Sequence, residues 1–105
     1  MSSDTEENYE NDGDILTKRK VKTPRKYKVL LHNDDYTTME FVVYILQRIF
    51  SMSLIQAQAT MLEVHEKGTG ECGVYSKEIA ETKVNQVEKE SRQNGHPLRC
   101  SYQPE

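Results

Sequence analysis

The sequence predicts a small α+β domain with the order β-α-α-β-α-β, in which three helices pack against a three-stranded sheet. Two observations predict this class. Three short runs are rich in β-branched or alternating apolar residues, and three longer runs between them carry apolar residues at helical spacing. A sheet with one apolar face needs a covering layer, so we expect this 105-residue chain to form one open sandwich. The pattern leaves parallel and antiparallel strand pairing both open.

A short polar segment separates the first strand from the first helix. Residues 27–32 (YKVLLH) form a β-rich run, and the Asn-Asp-Asp segment at 33–35 stops it. Thr37 then fits a helix N-cap, and Glu40 fits the matching position of a capping box. Apolar residues recur at helical spacing beyond it, so we expect this helix to run to about residue 50.

The second helix follows the first after only a few residues. Ser53 and Gln56 fit a second capping box, and Gly68 is well placed to end the helix in a left-handed conformation. Because the link between the two helices is short, we expect them to pack against each other as a hairpin.

The second half of the chain repeats the alternation of strand and helix. Residues 71–75 (ECGVY) favour a strand, and Ser76 fits the N-cap of a third helix that stops at residues 94–95 (Asn-Gly). Alternating apolar residues then predict a last strand, in which one side carries Leu98, Cys100 and Tyr102.

Charge divides the chain into two parts. Residues 1–14 contain six acidic residues and no Lys or Arg, whereas residues 18–28 carry seven basic residues. Apolar periodicity starts only near residue 27, so we expect a disordered extension over residues 1–25 and a folded core domain over residues 26–105. The net charge of −3 argues against a nucleic-acid binder, although the basic stretch keeps RNA contact open as an alternative.

The composition also predicts where the protein works. The acidic N-terminus lacks the apolar segment of a signal peptide, and no apolar run approaches the ~18 residues of a membrane span. We therefore expect a cytoplasmic protein without membrane contact. In that compartment thiols stay reduced, and Cys72 and Cys100 both fall in predicted strands, so we expect two buried free cysteines.

The polar segment before the first helix is the strongest candidate for a binding site. If the helical hairpin packs tightly, the end of the second helix returns beside the start of the first. An apolar hole would then be walled by Met39, Val42, Met61 and Val64, with a polar mouth of Asn33, Asp34, Asp35, Thr37 and His65. Oxygen and neutral imidazole acceptors around an apolar hole suit an α-amino group that is attached to a bulky apolar side chain.

Other interpretations of the same residues remain open at this point. An Asn-Asp-Asp segment before a helix is commonly plain turn and cap chemistry, and methionines at helical spacing are commonly core. A small enzyme or metal-binding protein is a second alternative, with oxygen and nitrogen ligands from His32, Asp34, Asp35, His65 and His96. The spacing of these residues matches no metal motif, and no nucleophile elbow or phosphate-binding loop occurs, so we expect no enzyme activity, cofactor or metal.

The same residues closely resemble the ClpS family, the adaptors that feed substrates to a ClpA–ClpP type AAA+ protease. The resemblance covers about residues 26–102, essentially the whole predicted core. Its ordered motifs are YKV at 27–29, NDDYT at 33–37, MEFV at 39–42, ML at 61–62, VH at 64–65, CGVY at 72–75, Glu78, AETKV at 80–84, HPL at 96–98 and Cys100. One departure lies at Thr38, which we expect at the first helical position and where the family commonly has Pro.

The resemblance implies recognition of N-degrons, which are proteins that begin with Leu, Phe, Tyr or Trp. It implies that Asn33, Asp34 and His65 bind the α-amino group and that Asp35 and Thr37 shape the mouth or contact the peptide backbone. The pocket walls that it implies are Met39, Val42, Met61, Val64 and Leu98, with Met39 as the gate that excludes Val and Ile.

The resemblance also implies a partner and a fold. Glu78, Thr82 and Lys83 would dock on the N-terminal domain of a ClpA-like or ClpC-like unfoldase, and the N-terminal extension would act during handover. The sheet would be antiparallel, and the adaptor would lie in the bacterial cytoplasm. Because the sequence contains no self-complementary coiled segment, we expect a monomer. The sequence leaves open which unfoldase is the partner, which of the four N-terminal residues is preferred, and which proteins are the natural substrates.

Overall fold

The computed structural model describes residues 24–105, which adopt the predicted order of strands and helices. The elements are β1 (Lys26–His32), α1 (Met39–Arg48), α2 (Leu54–Lys67), β2 (Thr69–Ser76), α3 (Lys77–Gln93) and β3 (Arg99–Pro104). The acidic segment and nearly all of the predicted N-terminal extension lie outside the described residues.

The three strands form one antiparallel sheet with the order β2-β1-β3. Leu31 of the central strand lies opposite Gly70 on one side and Cys100 on the other. The sequence left the direction of pairing open, and the structure confirms the antiparallel sheet that the family resemblance implied. The ends of β1 and α2 therefore lie at the same edge of the domain, because β2 begins directly after α2.

The core lies between one face of the sheet and the three helices. In β1 the buried residues are Val29 and Leu31, which alternate with half-buried neighbours as expected for a strand with one covered face. Cys72 and Cys100 are buried and free, which confirms the prediction of two structural thiols. Burial raises the pKa of the Cys100 thiol to about 12, so it stays protonated near neutral pH.

The start of α1 differs from the prediction. Thr38, not Thr37, is the N-cap, and its hydroxyl oxygen accepts a hydrogen bond from the amide of Phe41. The predicted capping box of Thr37 with Glu40 is therefore wrong, and so is Thr38 at the first helical position. The physical reason is that the Thr37 amide and hydroxyl both donate to the carboxylate of Asp34, which leaves the next threonine to cap the helix.

The helical hairpin forms as predicted. The Ser53 hydroxyl accepts a hydrogen bond from the amide of Gln56 and caps α2, whereas α1 ends at Arg48, slightly earlier than expected. Gly68 ends α2 with a φ of 91°, a left-handed conformation that glycine adopts without steric cost. Among residues 24–105, no helix combines the length and the apolar character needed to cross a membrane.

Gly70 permits the close packing of β2 on α2. A Cβ atom at this position would lie 2.5 Å from Cγ2 of Val64 and 3.3 Å from the carbonyl oxygen of Thr60. Only glycine fits without a shift of the helix or of the Val64 side chain. Val64 also lines the cavity described below, so the absence of a side chain at Gly70 helps to fix the position of one cavity wall.

Candidate functional site

The predicted mouth and wall residues surround one cavity of about 290 Å³ at the edge where β1 ends and α1 begins. Its lining consists of Asn33, Asp34, Asp35, Thr37, Met39, Val42, Met61, Val64 and His65. The cavity thus draws on the β1–α1 segment, the first turns of α1 and the last turns of α2. The close packing of the hairpin brings these three segments together, as the sequence predicted.

Leu98 lies at a smaller cavity that adjoins the first one. This second space is lined by Leu98 and His32 together with five residues of the main cavity. Leu98 is almost fully buried, and the Arg92 guanidinium donates hydrogen bonds to its carbonyl oxygen and to that of His96. Leu98 therefore lies deeper than the four wall residues. The sequence indicated His32 near these residues only as a ligand in the metal alternative, not as part of the binding cavity.

Asp34 organises the polar side of the cavity. One carboxylate oxygen accepts hydrogen bonds from the amides of Tyr36 (2.8 Å) and Thr37 (2.7 Å), and the other accepts one from the Thr37 hydroxyl (2.8 Å). Partial burial acts to raise the pKa of Asp34, but these hydrogen bonds and the nearby His96 outweigh it, so the pKa is lowered. The group is therefore a carboxylate at neutral pH.

A backbone hydrogen bond joins the two halves of the rim. The Asn33 amide donates to the carbonyl oxygen of Gly68 over 2.9 Å, which ties the end of β1 to the end of α2. His65 lies one turn before Gly68 on α2, so this bond places the exposed Asn33 and His65 side chains at the same cavity. The Asn33 and His65 side chains are therefore brought together by the backbone bond between the strand end and the helix end.

The walls differ in their exposure. Val42 and Val64 are buried, Met61 is half-buried, and Met39 is 46% exposed at the first position of α1. The unbranched thioether of Met39 therefore stands at the entrance with room to move, whereas the two valines form a fixed floor. The arrangement can accept one bulky apolar side chain from solvent.

The three predicted docking residues lie on α3, and none of them lines the cavity. Glu78 and Thr82 are exposed, and the Thr82 hydroxyl donates to the carbonyl oxygen of Glu78. Lys83 is half-buried because its ammonium donates to the carbonyl oxygen of Ile49 over 2.7 Å. That bond uses one of its three donors, so two remain for a partner.

The residues of the metal alternative are not gathered into a metal site. Within residues 24–105, no group of three or more His, Cys, Asp and Glu side chains is arranged to hold an ion. The chemistry that the cavity does offer is a rim of hydrogen-bond acceptors above an apolar floor.

Comparison with known proteins assigns the chain to a family. A family model described as "ATP-dependent Clp protease adaptor protein ClpS" matches residues 22–101. The chain belongs to the ClpS family. This confirms the resemblance seen in the motifs, and it makes the chain a member of a family of Clp protease adaptors.

Relatives in the ClpS family are similar over almost their whole length. The ClpS adapter of Desulfatibacillum aliphaticivorans is 52% identical over 92% of this chain and 95% of its own. The ClpS adapter of Nitratidesulfovibrio vulgaris (strain DP4) is 59% identical over 86% of each chain. A solved structure, Agrobacterium tumefaciens ClpS2 bound to L-phenylalaninamide, matches with a TM-score of 0.77 and 37% identity, covering 79% of this chain and 100% of that one.

Proposed function

We propose that this chain is a non-enzymatic adaptor that captures proteins by a free N-terminal Leu, Phe, Tyr or Trp and delivers them to a Clp AAA+ unfoldase. The observation that carries this proposal is a cavity in which a rim of acceptors adjoins an apolar floor. The related ClpS2 supports it, because L-phenylalaninamide combines a free α-amino group with one aromatic side chain.

The rim suits an ammonium group. An ammonium has three donors and no acceptor, and the rim offers the Asn33 amide oxygen, the Asp34 carboxylate and an imidazole nitrogen of His65. Three of the roughly four lone-pair sites of Asp34 are used by its own turn, which leaves about one for a ligand. Each hydrogen bond to the charged donor contributes roughly 1.5–3 kcal/mol.

The floor suits one side chain and no more. A cavity of about 290 Å³ is at the lower limit of small-molecule pockets, so it holds a side chain rather than a folded segment. Burial of a Leu or Phe side chain contributes roughly 1.5–3 kcal/mol. Three such hydrogen bonds and one buried side chain contribute roughly 6–12 kcal/mol, and the upper end of this range less about 4 kcal/mol for association corresponds to micromolar binding, about −8 kcal/mol.

Delivery would use a different surface. In our proposal the unfoldase docks on α3 through Glu78, Thr82 and Lys83, while the adaptor acts as a monomer in the bacterial cytoplasm and the partner protease cleaves the substrate. The docking residues on α3 do not line the cavity, which supports separate surfaces for docking and for capture, because a partner on α3 leaves the mouth of the cavity open.

Fluorescence anisotropy with two labelled peptides tests the capture step. One peptide begins with a free Phe, and its twin has the same sequence with an acetylated N-terminus. We expect micromolar binding of the free peptide and no measurable binding of the twin, because acetylation removes the charge and two of the three donors. Equal affinity for the two peptides would refute capture through the amino group.

A further inference from the structure

A second groove adjoins the cavity between α1 and α2. Its volume is about 390 Å³, and it is lined by Met39, Glu40, Val43, Leu54, Gln58 and Met61. The two spaces share Met39 and Met61, so the methionine pair forms the partition between them. Any ligand that leaves the first cavity over this partition arrives in the groove.

The groove presents apolar surface to solvent. Leu54 is 51% exposed and Met39 is 46% exposed, although both lie beside half-buried apolar neighbours in the groove. Exposed apolar side chains that line a concave surface next to a binding cavity are typical of an extended binding site. The single carboxylate on this lining, Glu40, makes the groove unfavourable for an acidic ligand.

The helical geometry gives the offset between the two spaces. On α2 the cavity uses Met61, Val64 and His65, whereas the groove uses Leu54, Gln58 and Met61. At about 1.5 Å per residue, the groove is displaced by roughly 8 Å along α2, away from His65. In an extended peptide, the side chains of the first and third residues point to the same face and lie about 7 Å apart.

We propose that the groove is a subsite for an apolar side chain at the third residue of the bound substrate. This inference rests on the proposed function, which places the α-amino group at the His65 end of the cavity. The chain then runs from His65 toward Leu54, with its second side chain directed to solvent and its third directed into the groove. The subsite would give different affinities to substrates that share the same N-terminal residue but differ at the third residue.

A peptide series tests the subsite on the full-length chain. The reference peptide begins Phe-Ala-Ala, and three others each carry one Leu in place of Ala at the second, third or fourth position, all with a fluorophore at the C-terminal end. We expect Leu at the third position to tighten binding about fivefold, since about half of a leucine side chain becomes buried. Leu at the second or fourth position should change the affinity less than twofold.

A pair of variants assigns this gain to the groove. In L54S the fivefold gain should disappear, while the affinity for the reference peptide stays unchanged. I55S is the matched control, because Ile55 is the next residue, is even more exposed and does not line the groove. This variant should retain the gain.

Three results would overturn the inference. The first is a reference peptide that binds by its free N-terminus but gains nothing from Leu at the third position, which leaves the proposed function intact. The second is a gain that survives L54S. The third is a concentration-dependent dimer in light scattering that L54S abolishes, since this would assign the groove to a second copy of the chain. Equal binding of the acetylated reference peptide would instead refute the proposed function itself.

Discussion

Replacement of Asp34 by Asn separates the two roles of this side chain. The carboxylate organises the rim through three hydrogen bonds, and in our proposal it also supplies negative charge to the bound ammonium. The asparagine oxygen can still accept from the amides of Tyr36 and Thr37, and its NH2 group can donate to the Thr37 hydroxyl. The variant therefore keeps the shape of the turn, but it loses the charge and the acceptor that Asp34 has left for the ligand, because the NH2 group replaces the oxygen that accepts only one internal hydrogen bond.

The expected magnitude follows from these contacts. A hydrogen bond between an ammonium and a carboxylate contributes roughly 1.5–3 kcal/mol, and D34N loses this bond, so it should bind a Phe-starting peptide at least about tenfold more weakly. Its melting temperature should stay close to that of the wild type. In D34A all three internal bonds are lost, so we expect about 2 kcal/mol of destabilisation and a melting temperature lower by ~8–16 °C.

The assay combines peptide anisotropy with thermal unfolding. E66Q is the matched control, because Glu66 is exposed beside His65, does not line the cavity and loses the same unit of charge. This control should bind like the wild type. Wild-type affinity in D34N, measured on a protein with an unchanged melting temperature, would refute the role of the Asp34 charge.

The pH dependence of stability provides a second check on Asp34. Its pKa is lowered in the folded state, so the unfolded chain takes up this proton at a higher pH than the folded chain does. The contribution to stability is complete above the unfolded value of about 3.9 and is lost as the pH falls through the folded pKa. D34N should therefore lose less stability than the wild type upon acidification, and parallel curves would contradict the role of the turn.

Three further substitutions test other parts of the site. H65A should weaken the binding of a Phe-starting peptide more than tenfold, and a wild-type titration curve would remove His65 from the rim. M39A should admit peptides that begin with Val or Ile, and their continued exclusion in anisotropy would place the gate elsewhere. G70A should lose about 1–3 kcal/mol in urea unfolding, because the added methyl group meets Val64 at 2.5 Å. The control G73A, whose methyl group meets only the far end of a tyrosine ring, should lose less, and equal losses would contradict the packing argument.

Local patterns in the sequence predicted most of the fold. Ser53, Gly68 and Ser76 mark helix ends through chemistry that depends only on nearby residues, and the structure uses all three as predicted. The cavity was predictable for a related reason, since a short link between two helices forces them to pack as a hairpin. The periodicity of each helix then determines which side chains face the other helix.

The features that the sequence did not reveal depend on competition or on tertiary contacts. Thr37 and Thr38 are equally able to cap a helix, and the choice between them depends on which one the Asp34 carboxylate engages. The close approach of Gly70 to α2 and the depth of Leu98 depend on how separate elements pack. Gly70 lies before residues 71–75, which the sequence predicted as the strand, whereas the observed strand begins at Thr69, so the prediction gave no signal of this close approach.

The hydrogen bond between Asn33 and Gly68 also determines at which stage of folding the rim of the cavity is complete. It joins residues that are far apart in the sequence and that meet only after the strand, both hairpin helices and the following turn have been arranged. A newly made or damaged copy that has not closed this contact has no complete rim. In our proposal, such a copy would be unable to capture a substrate by its N-terminus.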